Sequence, residues 1–381
     1  MNTDWPALAV SRALVGQPGS RFRIPTPALI VDLDALERNI ARMAQRAKAA
    51  GVTLRPHAKT HKSAFIAHRQ LAAGAVGICC AKLGEAEALA AEGVRGLLIT
   101  SPVVGPLNAA RAAVLARMEP ELTLALDHPD QVDALAQAAD RVGVQLSIVI
   151  DVDVGLGRTG VASPADAVAV AERIAAASSL RLKGVQGYGG HWQHRPGAET
   201  RLAAATDGMG LLSAAIDALR AAGHAVGLVT GGGTGTAAAD MSLGVLNELQ
   251  AGSYIFMDLQ YRRALGQDED GGFEHSLFVQ SQVISMNAPD WVTVDAGLKA
   301  LSTEGPLPVA VGDRWGDYGF FGDEHGRLMR PKDGSPAQLG ERVGLIPPHC
   351  DPTVDRYDVM HMVRGDVLVE VVPIQAARRS Q

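Results

Sequence analysis

A chain of 381 residues, 47% hydrophobic and 20% charged, has room for one large domain plus a smaller one and for a sizeable buried core. Its 35 Lys and Arg against 41 Asp and Glu leave a formal charge of −6, without the concentrated basic surface that a phosphate backbone demands, so no nucleic-acid partner is expected. No run approaches the roughly 18 uninterrupted apolar residues of a membrane span, and residues 1–20 lack a basic segment leading into an apolar one, so the expectation is a cytoplasmic protein with no membrane partner.

Residues 1–26 show no strong period and read as a tail or as a segment packed on the β region that comes last. From about residue 28 to 256, short β-branched runs alternate with amphipathic Ala-rich stretches, the pattern of βαβ units and a parallel sheet. Strands are predicted at 28–33, 53–58, 76–81, 96–100, 122–127, 146–152, 182–187, 226–230 and 248–252. Helices are predicted between them at 35–50, 63–73, 84–92, 108–118, 129–142, 164–177 and 201–222. Asp34, Ser63 and Ser163 stand where N-caps belong, and Gly51, Gly74, Gly93 and Gly223 where helices stop. Counted from Thr53 there are about eight strand–helix repeats, the number a TIM-type (β/α)8 barrel needs to close; the barrel is placed at 27–260. Cys79 and Cys80 are adjacent and Cys350 is remote, which gives no disulfide framework. After residue 260, runs such as HSLFVQSQVISM and VLVEVVPI alternate between Gly, Pro and Asp turns without intervening helices, so 261–381 is read as an all-β domain.

A parallel barrel keeps its chemistry at the carboxyl ends of its strands. Counted from Thr53, the first strand runs into Arg55-Pro56-His57-Ala58-Lys59-Thr60-His61-Lys62, where a partly desolvated lysine among cations can attack a carbonyl as the free amine, the requirement for a Schiff base. The fifth ends near Asp151, Asp153 and Arg158, and the arginine either faces a ring nitrogen or neutralises one of the carboxylates. The sixth ends in Gln186-Gly187-Tyr188-Gly189-Gly190-His191-Trp192-Gln193-His194, a cluster of acid–base candidates. The seventh ends in Thr230-Gly231-Gly232-Gly233-Thr234-Gly235, where glycines let the backbone approach an anion; with no following Lys it is no nucleotide loop. Near the C-terminus, His349 and Asp351 stand two apart, so that in an extended segment both face one ion while Cys350 points away. A nitrogen–oxygen pair completed by water suits Mn2+ or Mg2+.

Taken together, PHAKTHK (56–62), TGGGTG (230–235), ELQAGSYIFMD (248–258), VDAGLK (294–299), DEHG (323–326) and PHCDPT (348–353) closely resemble the metal-activated D-threonine aldolase and D-3-hydroxyaspartate aldolase group of alanine-racemase-like enzymes. The resemblance implies a barrel that binds pyridoxal 5'-phosphate (PLP), followed by a β domain, with the cofactor held on Lys59. It implies a cofactor site that includes His57, Arg158, Tyr188, Thr230, Gly232, Gly233, Thr234 and Tyr254. A divalent cation on His349 and Asp351, and a homodimer whose active sites lie between one subunit's barrel and the other's β domain, complete the picture. The implied reaction cleaves a D-3-hydroxy amino acid to glycine and an aldehyde, with His194 taking the hydroxyl proton. Two rivals stand beside it: a D-3-hydroxy amino acid dehydratase releasing ammonia and a 2-oxo acid, and a non-catalytic PLP-binding protein. His191 and Trp192 depart from the group's pattern, and Trp192, Arg55 and Arg195 are candidates for choosing the substrate's side chain.

Overall fold

The computed structural model describes residues 6–269 and 272–381. They divide into two compact units. One comprises Ala41–Gly252, Ala264–Glu269 and Arg379–Gln381; the other comprises the chain up to Ile40, Ser253–Arg263 and the remainder as far as Arg378. In chain order the elements are α1 (Pro6–Ala13), β1 (Ala28–Asp32), α2 (Leu33–Ala49), β2 (Thr53–Leu54), α3 (Ala64–Ala72), β3 (Ile78–Cys80), α4 (Leu83–Ala91), β4 (Leu97–Ile99), α5 (Pro106–Met118) and β5 (Thr123–Leu126). Then come α6 (Pro129–Val142), β6 (Leu146–Val152), α7 (Pro164–Ala175), β7 (Leu180–Gly187), α8 (Ala198–Ala221), β8 (Leu228–Gly231), α9 (Ala237–Leu243), β9 (Glu248–Leu249) and α10 (Leu259–Glu269). The chain finishes with β10 (Leu277–Ser285), β11 (Trp291–Val294), β12 (Val309–Ala310), β13 (Tyr318–Phe320), β14 (Gly326–Met329), β15 (Arg342–Ile346), α11 (Cys350–Val354), β16 (Val359–Arg364) and β17 (Val367–Pro373).

Buried on both faces, strands such as LSIVIDV of β6 read as continuous apolar runs, as parallel strands under helices must. Eight of them form one parallel sheet in the order β2-β9-β8-β7-β6-β5-β4-β3. The sheet curls until its ends meet in a parallel bridge between His57 and Cys79, where Cys79 N–H donates to Pro56 O at 2.8 Å and Val76 N–H to Leu54 O at 2.9 Å. Small residues on the outer helices, among them Ala112 and Ala113 of α5 and Ala171 of α7, share one buried core with Leu124, Ile148 and Ile150, which lets helix and sheet approach closely. By length and apolar content α8 is a helix that could cross a bilayer, and its Leu212, Ile216 and Leu219 belong to that same core.

The second unit holds a mixed sheet in the order β13-β14-β11-β10-β1-β16-β17, with β15 pairing β10 and β12. One of its inner strands, β1, departs from the sequence boundary at 27. β1 lies antiparallel to β10 and parallel to β16, because ALIVD is apolar enough to be enclosed by either kind of sheet. α1 belongs to this unit as well, where Ser11 Oγ lies 3.1 Å from His361 Nε2. Two helices interrupt the stretch expected to be free of them, α10 and the five-residue α11. Asp32, not Asp34, caps α2, accepting from Ala35 N–H at 3.0 Å. Ser163 caps α7 as expected by accepting from Asp166 N–H, and the four predicted stop glycines all have left-handed φ.

Candidate active site

Beyond β2 the chain turns sharply through Ala58–Thr60 and carries Lys59 onto the wall of a cavity of about 620 Å3 in the barrel unit, together with His57, Arg158, Tyr188 and Gln186. His57 starts the turn: its Nδ1 accepts from Lys59 N–H at 3.3 Å, and its Nε2 lies 3.1 Å from Thr100 Oγ1. The second lysine of the motif, Lys62, is buried, with Nζ 2.9 Å from Glu85 Oε1. Of the two, Lys59 is thus the one that faces the cavity.

A connected polar layer crosses the barrel strands. Arg55 Nε donates to Glu248 Oε1 at 2.9 Å, Thr230 Oγ1 donates to the same oxygen at 2.9 Å, and Gln250 Nε2 donates to Thr230 Oγ1 at 3.0 Å and to Gln186 Oε1 at 3.1 Å. Gln186 Nε2 then reaches Asp151 Oδ1 at 2.9 Å, whose other oxygen accepts from Thr159 Oγ1 at 2.7 Å. Thr230 therefore sits inside this layer, and Arg55, which also donates to Gly96 O, is held in it by Glu248. Burial pushes the Asp151 carboxyl up to about 6, opposed by the hydrogen bonds from Gln186 and Thr159 and by the field of Arg158. Asp153 instead anchors its own loop, accepting from the amides of Gly155, Leu156 and Gly157. Arg158 is exposed, its guanidinium 5.4 Å from the centroid of the Tyr188 ring.

After β8 the glycine turn is shaped from behind. Gly232 has φ +71, and a Cβ there would lie 2.4 Å from Asp240 Oδ2; one at Gly233 would lie 2.5 Å from Gln193 Oε1. Gly233 N–H donates to Asp240 Oδ2 at 3.3 Å and Gly235 N–H to Gln193 Oε1 at 3.0 Å, while Thr236 Oγ1 donates to Asp240 at 2.7 Å and accepts from Gln193 Nε2 at 2.8 Å. Thr234 is buried in the same turn. Gln193 thus ties the glycine turn to the segment bearing His194, which is itself exposed. Trp192, expected near the opening, is buried: its ring fills the space over Gly189 and Gly208, and a Cβ on either would lie within about 2.1 Å of it. His191 is exposed beside it, ring centroids 4.9 Å apart.

The remaining expected residues belong to the other unit. Tyr254 is fully buried, 5.6 Å from the Phe273 ring. His349 has extended backbone, but Asp351 lies in the first turn of α11, so the pair is not the extended segment expected. The helix start still turns the two side chains to one another, His349 Nε2 lying 3.9 Å from Asp351 Oδ1, while His349 Nδ1 is 3.0 Å from Glu304 Oε2. Buried Asp258 accepts from Cys350 N–H at 2.9 Å. Burial pushes its carboxyl up to about 6, against the lowering field of His349. Among the described residues there is no group of three or more His, Cys, Asp or Glu arranged to hold a metal ion.

Residues 31–260 match the family model described as alanine racemase, N-terminal domain, and residues 276–363 that of a putative serine dehydratase domain. Over 380 residues, 98% of each chain, the sequence is 39% identical to a 3-hydroxy-D-aspartate aldolase of Paracoccus denitrificans (strain Pd 1222), and the solved D-threonine aldolase of Filomicrobium marinum superposes with a TM-score of 0.89 at 38% identity, covering 93% of this chain and 96% of that one. The chain belongs to the D-threonine aldolase and 3-hydroxy-D-aspartate aldolase family. A D-threo-3-hydroxyaspartate dehydratase of Delftia sp. (strain HT23) is 31% identical, over 91% of this chain and 96% of its own. In this aldolase-family chain, the groups to which no role was given from sequence are Lys62, Glu85, Asp240, Gln250 and Asp258. Asp240 and Glu85 lie on helices, where one acid among many carries no signal. Lys62, Gln250 and Asp258 fall inside the recognisable motifs.

Proposed function

We propose that this protein is an aldolase that cleaves D-3-hydroxy amino acids of the D-threonine or D-3-hydroxyaspartate type to glycine and an aldehyde, using PLP and a divalent cation, Mn2+ or Mg2+. One observation carries the reading: a chain that matches a named aldolase end to end at 39% identity, against 31% for a dehydratase, also sets Lys59 on the wall of a roomy barrel cavity. That cavity suits a flat aromatic aldehyde, for it combines a lysine, an arginine and a tyrosine ring with a floor whose polar atoms bond one another. The His349–Asp351 pair offers the nitrogen and carboxylate oxygen that such cations take.

Bound on Lys59, PLP supplies the electron sink for the bond that breaks at the α-carbon. A cation on His349 and Asp351 supplies acidification of a hydroxyl. Arg158 keeps a fixed positive charge beside the Tyr188 ring and so discourages a second cation there. His57, held by Thr100, fixes the start of the turn that presents Lys59. His194, exposed to solvent in its turn, accepts the proton of the β-hydroxyl. Glycine release, rather than ammonia, follows when that hydroxyl loses a proton instead of leaving. A homodimer and a cytoplasmic location are part of this reading.

Purified protein incubated with PLP, Mn2+ and D-threonine or D-3-hydroxyaspartate, with glycine and ammonia assayed together, tests it. Glycine without ammonia, lost on adding EDTA, is expected. Ammonia with a 2-oxo acid means a dehydratase, and neither product from either substrate means that the aldolase reading fails.

A further inference from the structure

Lys62, three residues beyond Lys59, takes φ +53, a left-handed backbone shared by only two other non-glycine residues among those described. A side chain with a Cβ occupies that region at a cost, and such residues persist where their surroundings over-determine them. Here the surroundings do so. Ala58 O accepts from both His61 N–H at 3.0 Å and Lys62 N–H at 2.6 Å, closing the turn that bears Lys59. The Lys62 ammonium, its side chain 8% exposed, meets Glu85 Oε1 at 2.9 Å, and Glu85 Oε2 accepts from Ala81 N–H at 2.7 Å. Ala81 and Lys82 line the same cavity as Lys59. One buried ion pair thus fastens the Lys59 turn to the junction between β3 and α4.

We infer that Lys62 is a positioning residue for Lys59: its ion pair with Glu85 pins the turn in the left-handed conformation and fixes where Lys59 stands on the cavity wall. Burying both charges offsets much of their attraction, so the pair adds little to stability, and what it specifies is geometry. Glycine accepts this backbone more readily but has nothing to anchor. The inference rests on Lys59 being the residue that holds PLP.

The decisive variant is the double substitution Lys62→Gly with Glu85→Gln, made in the full chain. It removes both charges together, keeps an acceptor for Ala81 N–H and gives the turn a residue that suits its φ. PLP affinity is measured by equilibrium titration, attachment at Lys59 by borohydride trapping and peptide mapping, and amide hydrogen exchange over residues 58–62 without cofactor. Affinity about tenfold weaker and exchange about tenfold faster are expected, with an unfolding midpoint close to that of the wild type; Lys62→Arg, which keeps the cation, regains most of both. Wild-type affinity and exchange in the double variant overturn the inference. If the double variant does not fold, Glu85→Asp stretches the pair while keeping both charges; weaker affinity there supports the inference, and unchanged affinity overturns it. A wild-type chain that takes no PLP on Lys59 refutes the functional reading, and the inference with it.

Discussion

Asp240 places a carboxyl where little offsets its charge. Burial pushes it up to about 7, and only Thr236 and the Gly233 amide pull the other way. A carboxyl raised in the folded chain favours the protonated form, so its contribution to stability is complete below about pH 4 and is lost as pH climbs through about 7. The difference from an ordinary carboxyl is worth about 4 kcal/mol. Asp240→Asn is therefore expected to raise the unfolding midpoint by several degrees at about pH 8.5 and to leave it unraised near pH 4; equal shifts at both would refute the charge argument. Lys59→Ala is expected to abolish both the visible absorption of bound PLP and turnover, as measured by spectrum and glycine release. That His57, Lys59, Arg158 and Tyr188 line one cavity was legible because they stand at or beyond the carboxyl ends of predicted strands. Trp192 and Arg55 were misplaced because sequence position gives no direction to a side chain, and only long-range partners, Gly208 for one and Glu248 for the other, turn them inward.

Helix α8 contains two glycines that local propensity treats alike. A Cβ on Gly208 would lie 2.1 Å from the Trp192 ring and 3.0 Å from Val154 O, whereas one on Gly210 meets nothing within 4 Å. Gly210→Ala is expected to stabilise by roughly 0.5–1 kcal/mol through helix propensity. Gly208→Ala is expected to cost about 1–3 kcal/mol through overpacking, and denaturant midpoints of the pair read the contrast directly. The seven helices α2 to α8 were legible from sequence because caps and stop glycines bracket several of these stretches, whereas the seven-residue α9 was not among those predicted. α11 was not, since five residues carry no period, and Pro347 and Pro348 before it read as turn. β1 was assigned to the wrong sheet for a related reason. Its run of apolar residues satisfies a two-sided environment of either kind, and the choice of β10 and β16 as neighbours is made by chain hundreds of residues away.

At the scale of the whole molecule, the residues read as the cofactor lysine and the metal pair belong to different units, Lys59 to the barrel and His349 with Asp351 to the mixed-sheet unit. Asp351→Ala is accordingly expected to bind PLP with an unchanged absorption spectrum while losing its response to added Mn2+; normal stimulation by the cation would place the metal elsewhere. The two-domain class was visible in the change of sequence texture near residue 260, because helices and turns leave different periods. How the second unit recruits its first strand from the other end of the chain was not visible. The barrel's circle of strands is completed where its last pairing is thinnest, at the bridge between His57 and Cys79, and Lys59 stands two residues past that seam. On the reading that Lys59 holds PLP, a chain whose circle has not shut is expected to lack the pocket that favours this lysine over exposed ones, so tight uptake of PLP at Lys59 is expected to follow barrel closure without any substrate.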